Sequence, residues 1–368
     1  MKIALVHDYL TQKGGAERIF AMLCSYFPQG DIYTSIYSED KTVDMEGREV
    51  NTTFLQDIPG VTNYFRLFAP FYYPAFRSMD LQEYDLIISS TSCFAIAVRK
   101  KPGAMHICFC HNVTRFLWDT RTYLQENSGF KSFSPLINQV FNLIRKVDVE
   151  YAQEPDLYIA NSSIVAERIE RLYKRNALTV NYPVDTGKFV FSDVKDDYYL
   201  VSSRMISYKR LDIVIEAFNW LGLPLIIIGD GPEREKLESR ALENVKFLGY
   251  VEDDFRNQLM SKAKGVIVMA LEDYGLVPIE ANASGTPVIA YGAGGVLDTQ
   301  IDGETGILFS PQTPEALHNA LRKAEETEWD YHKIRNHAVN NFSESVFFGK
   351  VKQIVGEFYG SSALEIFS

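Results

Sequence analysis

Short apolar runs alternate along the chain with stretches whose apolar positions recur every three or four residues. "KIALVHD" at the N-terminus predicts a buried strand, and "GGAERIFAMLCSYF" a helix with Ile19, Leu23 and Phe27 on one face. "DIYTSIYS", "YDLIISSTS", "MHICFCH" and "PDLYIANSS" predict further strands, the last leading into a helix, "IVAERIERLYK". Strands alternating with helices imply a parallel sheet covered on both faces. The rhythm breaks at residues 184–197, which are polar and read as a linker. It restarts with "YLVSSR", "YKRLDIVIEAFNWL", "PLIIIGDG", "PEREKLESRAL", "VKFLGYV", "DFRNQLMSKA", "GVIVMAL", a helix over 276–284 and "TPVIAYG". The expected fold class is α/β, with two Rossmann-like, doubly wound domains facing across a cleft. The expected domains are 1–183 and 198–344, followed by a helix in 345–368 that crosses back to the first domain.

A length of 368 residues suits two such domains. A hydrophobic fraction of 46% lets each bury a core without staples. The net charge of −11 argues against nucleic acid as a partner, since phosphate backbones want a basic face. It leaves room for a small phosphorylated ligand held by a few local cations. The four cysteines form no CxxC pair and the histidines no HExxH spacing, so reduced core thiols are expected and no metal site. The opening apolar run is too short for a signal segment, and no run is long enough to span a membrane. A cytoplasmic protein is expected.

Ligands of open α/β sheets bind beyond the carboxyl ends of strands. The chemistry-bearing residues cluster there. Glu272 follows the strand "GVIVMA"; "YGLVPIE" then places Gly275 where the backbone can approach a ligand, Pro278 in a first helical turn and Glu280 just behind it. The free amides of such a turn attract an anion, and carboxylates accept hydrogen bonds from vicinal hydroxyls. Hydroxyl, phosphate, hydroxyl describes a nucleotide sugar. Arg204 and Lys209 in "SSRMISYKRLD" are candidate counterions for its diphosphate. "GGAE" at 14–17 gives a glycine pair at the first turn of the chain.

"EDYGLVPIEANASGTPVIAYGAGGVLD" strongly resembles the glutamate–seven residues–glutamate signature of retaining GT-B glycosyltransferases of family 4 (glycosyl transferases group 1). "GGAE", "CHNVTRFLWD", "IANSS", "SSRMISYKRLD", "IIGDGPEREKL", "FLGYV" and "DGETGILF" follow in the family's order. The resemblance covers most of the chain and is looser between about 40 and 105. It implies that Glu280 holds the ribose and that Arg204 and Lys209 clamp the diphosphate. Glu272, with the amides of Gly275, Leu276 and Val277, would hold the transferred sugar. Gly15 would reach the phosphates, and His111 the sugar near the reacting carbon. The base would stack near Val251. Arg115 and Trp118 would face the acceptor. No metal or other cofactor is implied, because the cations and the helix terminus neutralise the leaving diphosphate.

The expected reaction moves a hexose, with retention, from a nucleotide-diphosphate sugar to a glycan or polyprenyl-linked acceptor in polysaccharide biosynthesis. UDP-glucose is preferred as donor, with GDP-mannose next. "VTNYFRLFAPFYYPAFRSM" (61–79) is dense in aromatics with Arg66 and Arg77. It reads either as a packed insertion or as a peripheral contact with the inner face of the membrane. A sugar-nucleotide epimerase or phosphorylase would share the fold. A non-catalytic nucleotide-sugar-binding protein would be expected to lack His111, Arg204 or Lys209, and all are present. A dinucleotide dehydrogenase is disfavoured, since "GDGPER" lacks the third glycine of GxGxxG.

Overall fold

A computed structural model describes residues 1–118 and 134–360. The chain divides into two compact units, Met1–Val180 and Asn181–Ser368. Each is a parallel sheet with helices, as the alternating pattern predicts.

The first sheet contains β1 (Ile3–His7), β2 (Asp31–Thr34), β3 (Val50–Asn51), β4 (Leu86–Thr91), β5 (Met105–Cys110), β6 (Leu157–Ala160) and β7 (Ala177–Thr179). Their order is β3-β2-β1-β4-β5-β6-β7, with every pairing parallel. Chain order reverses between β1 and β4, the position where such sheets bind ligands. Both strands are buried along their whole length, which explains the apolar residues that open each, Ile3–Val6 and Leu86–Ile88. The helix Gly15–Tyr26 buries Ile19, Phe20 and Leu23.

Residues 61–79 form the short helices Val61–Tyr64 and Ala69–Arg77 joined by a 3₁₀ turn, Phe65–Phe68. One side, with Phe65, Tyr72, Tyr73 and Phe76, is packed into the core of this unit. The other leaves Tyr64, Leu67 and Phe71 exposed.

The second sheet contains β8 (Tyr199–Ser202), β9 (Leu225–Ile228), β10 (Val245–Gly249), β11 (Gly265–Val268), β12 (Val288–Tyr291) and β13 (Gly306–Phe309). The order is β10-β9-β8-β11-β12-β13, again parallel, with the reversal between β8 and β11.

Two expectations need correcting. Residues 184–197 are not a free linker but part of the second unit. Val184 and Phe189 are buried, the Val184 amide donates to the Phe342 carbonyl at 2.9 Å, and Lys195 Nζ donates to Ser261 O at 2.7 Å and Thr286 Oγ1 at 2.8 Å. The polar surface of the segment masked these anchors. The helix expected from Tyr208 begins only at Leu211, because Arg210 adopts a left-handed conformation (φ 53°) after the 3₁₀ turn Ser207–Lys209. The C-terminal helix spans Glu344–Tyr359 and groups with the second unit, where Phe347 packs on Tyr182. Residues 361–368 of the expected 345–368 element lie outside the described residues.

Candidate active site

In the second unit the turn after β8 is pinned by the turn after β9. The Ser203 amide donates to Ile228 O at 3.1 Å, and the Met205 amide to Asp230 O at 2.8 Å. The contact is so close that a Cβ at Gly229 or Gly231 would collide with the carbonyls of Ser203 or Met205. This holds Arg204 at the surface, where it makes no ion pair with the described residues.

Lys209 ends the same turn. Its ammonium pairs directly with a carboxylate oxygen of Glu272 and lies 5.3 Å over the Tyr208 ring. Glu272 follows β11, so the pair bridges the reversal point of the second sheet. The other Glu272 oxygen lies against Gly275, where a Cβ would stand 2.7 Å away and where φ is +86°. Glycine is therefore required by both space and backbone. Leu276 and Val277 follow, half-buried, and Pro278 sits in the first turn of the helix Val277–Ala283.

Glu280, expected to point toward the ligand, is only 1% exposed, and Arg256 Nη1 approaches one of its oxygens at 3.3 Å. Arg256 lies on the helix Asp253–Lys262 and its Nε is buried without a hydrogen-bond acceptor. This neighbour was not anticipated: an arginine in a polar helix reads as solvated surface. Val251 is half-buried against the core under β8, β11 and β12.

In the first unit, polar side chains gather at the equivalent reversal. His7, the last residue of β1, is in register with Ser90 of β4. Ser90 Oγ lies 3.3 Å from His7 Nδ1 and 2.7 Å from His111 Nε2, just beyond β5. His7 Nε2 is 4.0 Å from Glu17 Oε1, which also accepts from Gln12 Nε2 at 2.9 Å. Burial would raise the Glu17 carboxyl, but the neighbouring His7 ring and the hydrogen bond from Gln12 outweigh it and leave it below the usual carboxylate range. Burial, reinforced by His7, pushes the His111 imidazole down to about 3. The ring is uncharged at neutral pH.

Asp8 was also overlooked. Its buried carboxylate accepts from Thr91 Oγ1 at 2.7 Å and from the amides of Ser92 (2.6 Å), Cys93 (3.0 Å), Phe94 (2.8 Å) and Ala95 (2.8 Å). It therefore fixes the turn after β4. Gly15, exposed, opens the first helix. Arg115 is exposed, whereas the Trp118 indole donates to the buried Asp148 at 2.6 Å. Trp118 is thus tied inward at its polar edge. Asp119, the last residue of the "CHNVTRFLWD" stretch, lies outside the described residues. Among the described residues no group of three or more His, Cys, Asp or Glu could hold a metal ion.

The geometry gives a cation–carboxylate pair at one reversal point and a neutral, tethered histidine at the other. Residues 187–341, less than half of the chain, match the family model described as glycosyl transferases group 1. That match lies wholly within the second unit. The chain is 25% identical over 337 residues to the lipopolysaccharide core biosynthesis glycosyltransferase LpsE of Rhizobium meliloti, covering 87% of this chain and 88% of that protein. It is 26% identical over 210 residues to the D-rhamnosyltransferase WbpZ of Pseudomonas aeruginosa, covering 52% of this chain and about half (53%) of that protein. Among solved structures, Anabaena HepE in complex with UDP superposes with a TM-score of 0.72 at 20% identity, covering 97% of this chain and all (100%) of that one. Sucrose-phosphate synthase of Thermosynechococcus elongatus gives 0.74 at 17% identity, covering 98% and 100%. The fold is GT-B.

Proposed function

We propose that this chain transfers a hexose with retention from a nucleotide-diphosphate sugar, UDP-glucose by preference and GDP-mannose next, to a glycan or polyprenyl-linked acceptor in polysaccharide biosynthesis. The observation that carries this reading is the Lys209–Glu272 pair at the reversal point of the second sheet, beside Gly275 and inside the group 1 match. A cation and a carboxylate already paired beside a glycine turn are a ready partner set for a diphosphate and a sugar hydroxyl. The complex of Anabaena HepE with UDP-glucose, and the role of LpsE in lipopolysaccharide core biosynthesis, are consistent with it.

Arg204 and Lys209 neutralise the diphosphate as its bond to the sugar breaks, so no metal is required. Glu280, with Arg256 on one oxygen, accepts the ribose hydroxyls. Glu272 and the amides of Gly275, Leu276 and Val277 orient the sugar. Val251 marks the base position. In the first unit, Gly15 approaches the phosphates, His111 accepts a hydrogen bond from the sugar, and Arg115 and Trp118 face the acceptor. The chain works in the cytoplasm at the inner face of the membrane, with exposed Tyr64, Leu67 and Phe71 as its peripheral contact. No helix among the described residues is long and apolar enough to cross a membrane.

A thermal-shift series with UDP, GDP, UDP-glucose and GDP-mannose tests the reading, because a ligand that binds only the folded state raises the melting temperature. UDP should stabilise most. If none of the four raises the transition, the nucleotide-sugar reading fails.

A further inference from the structure

In the second unit β11 ends at Val268 and the next helix begins at Val277. The segment between them carries Glu272 and Gly275, and it is held by ties outside the regular ladders. The Gly295 amide donates to Glu272 O at 2.9 Å, beside an isolated parallel bridge of Glu272 with Gly294. The two backbones touch: a Cβ at Gly295 would stand 2.4 Å from Tyr274 Cα, and one at Gly294 2.3 Å from Glu272 O. Tyr274 adds a tie of another kind. Its ring is buried and its phenol donates to the Tyr182 carbonyl at 2.5 Å. The two tyrosine rings meet edge-on, with centroids 5.9 Å apart at 73°, and Tyr182 meets the buried Phe347 in the same way at 6.0 Å and 81°. Burial raises the Tyr274 phenol well above its ordinary value, so it stays protonated and donating at neutral pH.

Gly275 comes next, at φ +86°, and a glycine can leave that conformation at little steric cost. A turn built on such a residue keeps one shape when its neighbours are pinned. Pro278, in the first turn of the following helix, restricts it from one end, and Tyr274 from the other. Packing alone would be served by a phenylalanine; the hydroxyl adds a direction, because it reaches one main-chain oxygen. We propose that Tyr274 is a positioning residue for the transferred sugar: its phenol, tied to the Tyr182 carbonyl, fixes the Gly275 turn so that Glu272 and the amides of Gly275, Leu276 and Val277 meet the hexose in one geometry. Arg204 and Lys209, the counterions of the diphosphate, stand on the separate turn after β8, so the tie acts on the sugar and not on the nucleotide. The naming of the sugar rests on the nucleotide-sugar reading above; the fixing of the turn does not.

Two measurements on the full chain test this, comparing wild type with Tyr274→Phe. The first is ¹⁵N relaxation without ligand. In the wild type the Gly275 amide should be as rigid as β11, with an order parameter of about 0.85, and in Tyr274→Phe it should become mobile while β11 does not change. A mobile Gly275 in the wild type overturns the proposal and needs no variant to fold; so does a Gly275 that stays rigid in Tyr274→Phe. The second is calorimetry and turnover with UDP and UDP-glucose. Tyr274→Phe should weaken UDP-glucose roughly fivefold, the worth of one hydrogen bond, and lower kcat for its cleavage, with the Kd for UDP unchanged. Unaltered UDP-glucose affinity and turnover, or an equal loss of UDP and UDP-glucose, refutes the positioning role. If the wild type binds neither UDP, GDP nor their sugars, the donor reading falls with the sugar clause, and the relaxation result alone decides whether Tyr274 fixes the turn.

Discussion

Acidification should destabilise the first unit well before its carboxylates titrate. His106 and His111 are both buried, and burial lowers each imidazole to about 3. For His106 the cost of a charge is visible: Nε2 meets Ser89 Oγ at 2.8 Å, but Nδ1 is buried with no hydrogen-bond partner, so a proton there would have no acceptor. The unfolded chain binds a proton at each ring below about pH 6.5, while the folded chain does not. Stability from these groups is therefore complete above pH 6.5 and is lost as pH falls from there toward 3. Between pH 7.5 and 5.5 each ring should cost about 1.4 kcal/mol, or about 2.7 kcal/mol for the pair. That corresponds to a fall of roughly 5–10 °C in melting temperature for a unit of this size. Hydrogen exchange read on peptides covering β4 and β5 reports the opening free energy of this unit alone, after correction for intrinsic rates. His106→Gln, which keeps a donor or acceptor for Ser89, should remove about half of the pH dependence. An opening free energy flat between pH 7.5 and 5.5, or a His106→Gln slope equal to the wild type, would refute the reasoning.

Arg256→Met should leave the Glu280 carboxylate buried beside an apolar chain and destabilise the second unit by about 2–4 kcal/mol, whereas Arg256→Met with Glu280→Gln should recover much of that loss; additive effects in urea denaturation would mean the two are not coupled. Glu280→Gln alone should weaken UDP binding by roughly 1.5–3 kcal/mol, measured by calorimetry. Arg204→Ala and Lys209→Ala should each lower turnover by roughly 10²–10³ and also weaken UDP, because the diphosphate is charged before the bond breaks. Turnover should persist in excess EDTA; loss that Mn²⁺ reverses would show that these cations are not the counterions of the leaving group.

The sheets were legible because their central strands are buried on both faces. β1, β11 and β12 appear in the sequence as short apolar runs, and the position of Glu272 just beyond a strand follows from β11. What could not be read is pairing between distant strands. Ser90 is one serine in "IISSTS", and only the register of β4 against β1 makes it the neighbour of His7. Arg256 was hidden for another reason: in "DDFRNQ" it stands among polar residues, and nothing local shows that its head group turns inward to Glu280. The 184–197 segment misled in the opposite sense, since two buried apolar residues and a few main-chain bonds hold what composition presents as solvated.

The described apolar clusters respect the boundary at Val180. Those built on β1, β4 and β5 draw no residue from beyond it, and those built on β8, β9 and β11 draw none from before it. A recombination joint placed there would cut through none of these clusters. Chimeras that graft the second half of a relative onto this first half should therefore inherit an intact interior on either side of the joint. Inheritance by halves, rather than residue by residue, is then a route by which such a chain could exchange one lobe while leaving the interior of the other whole.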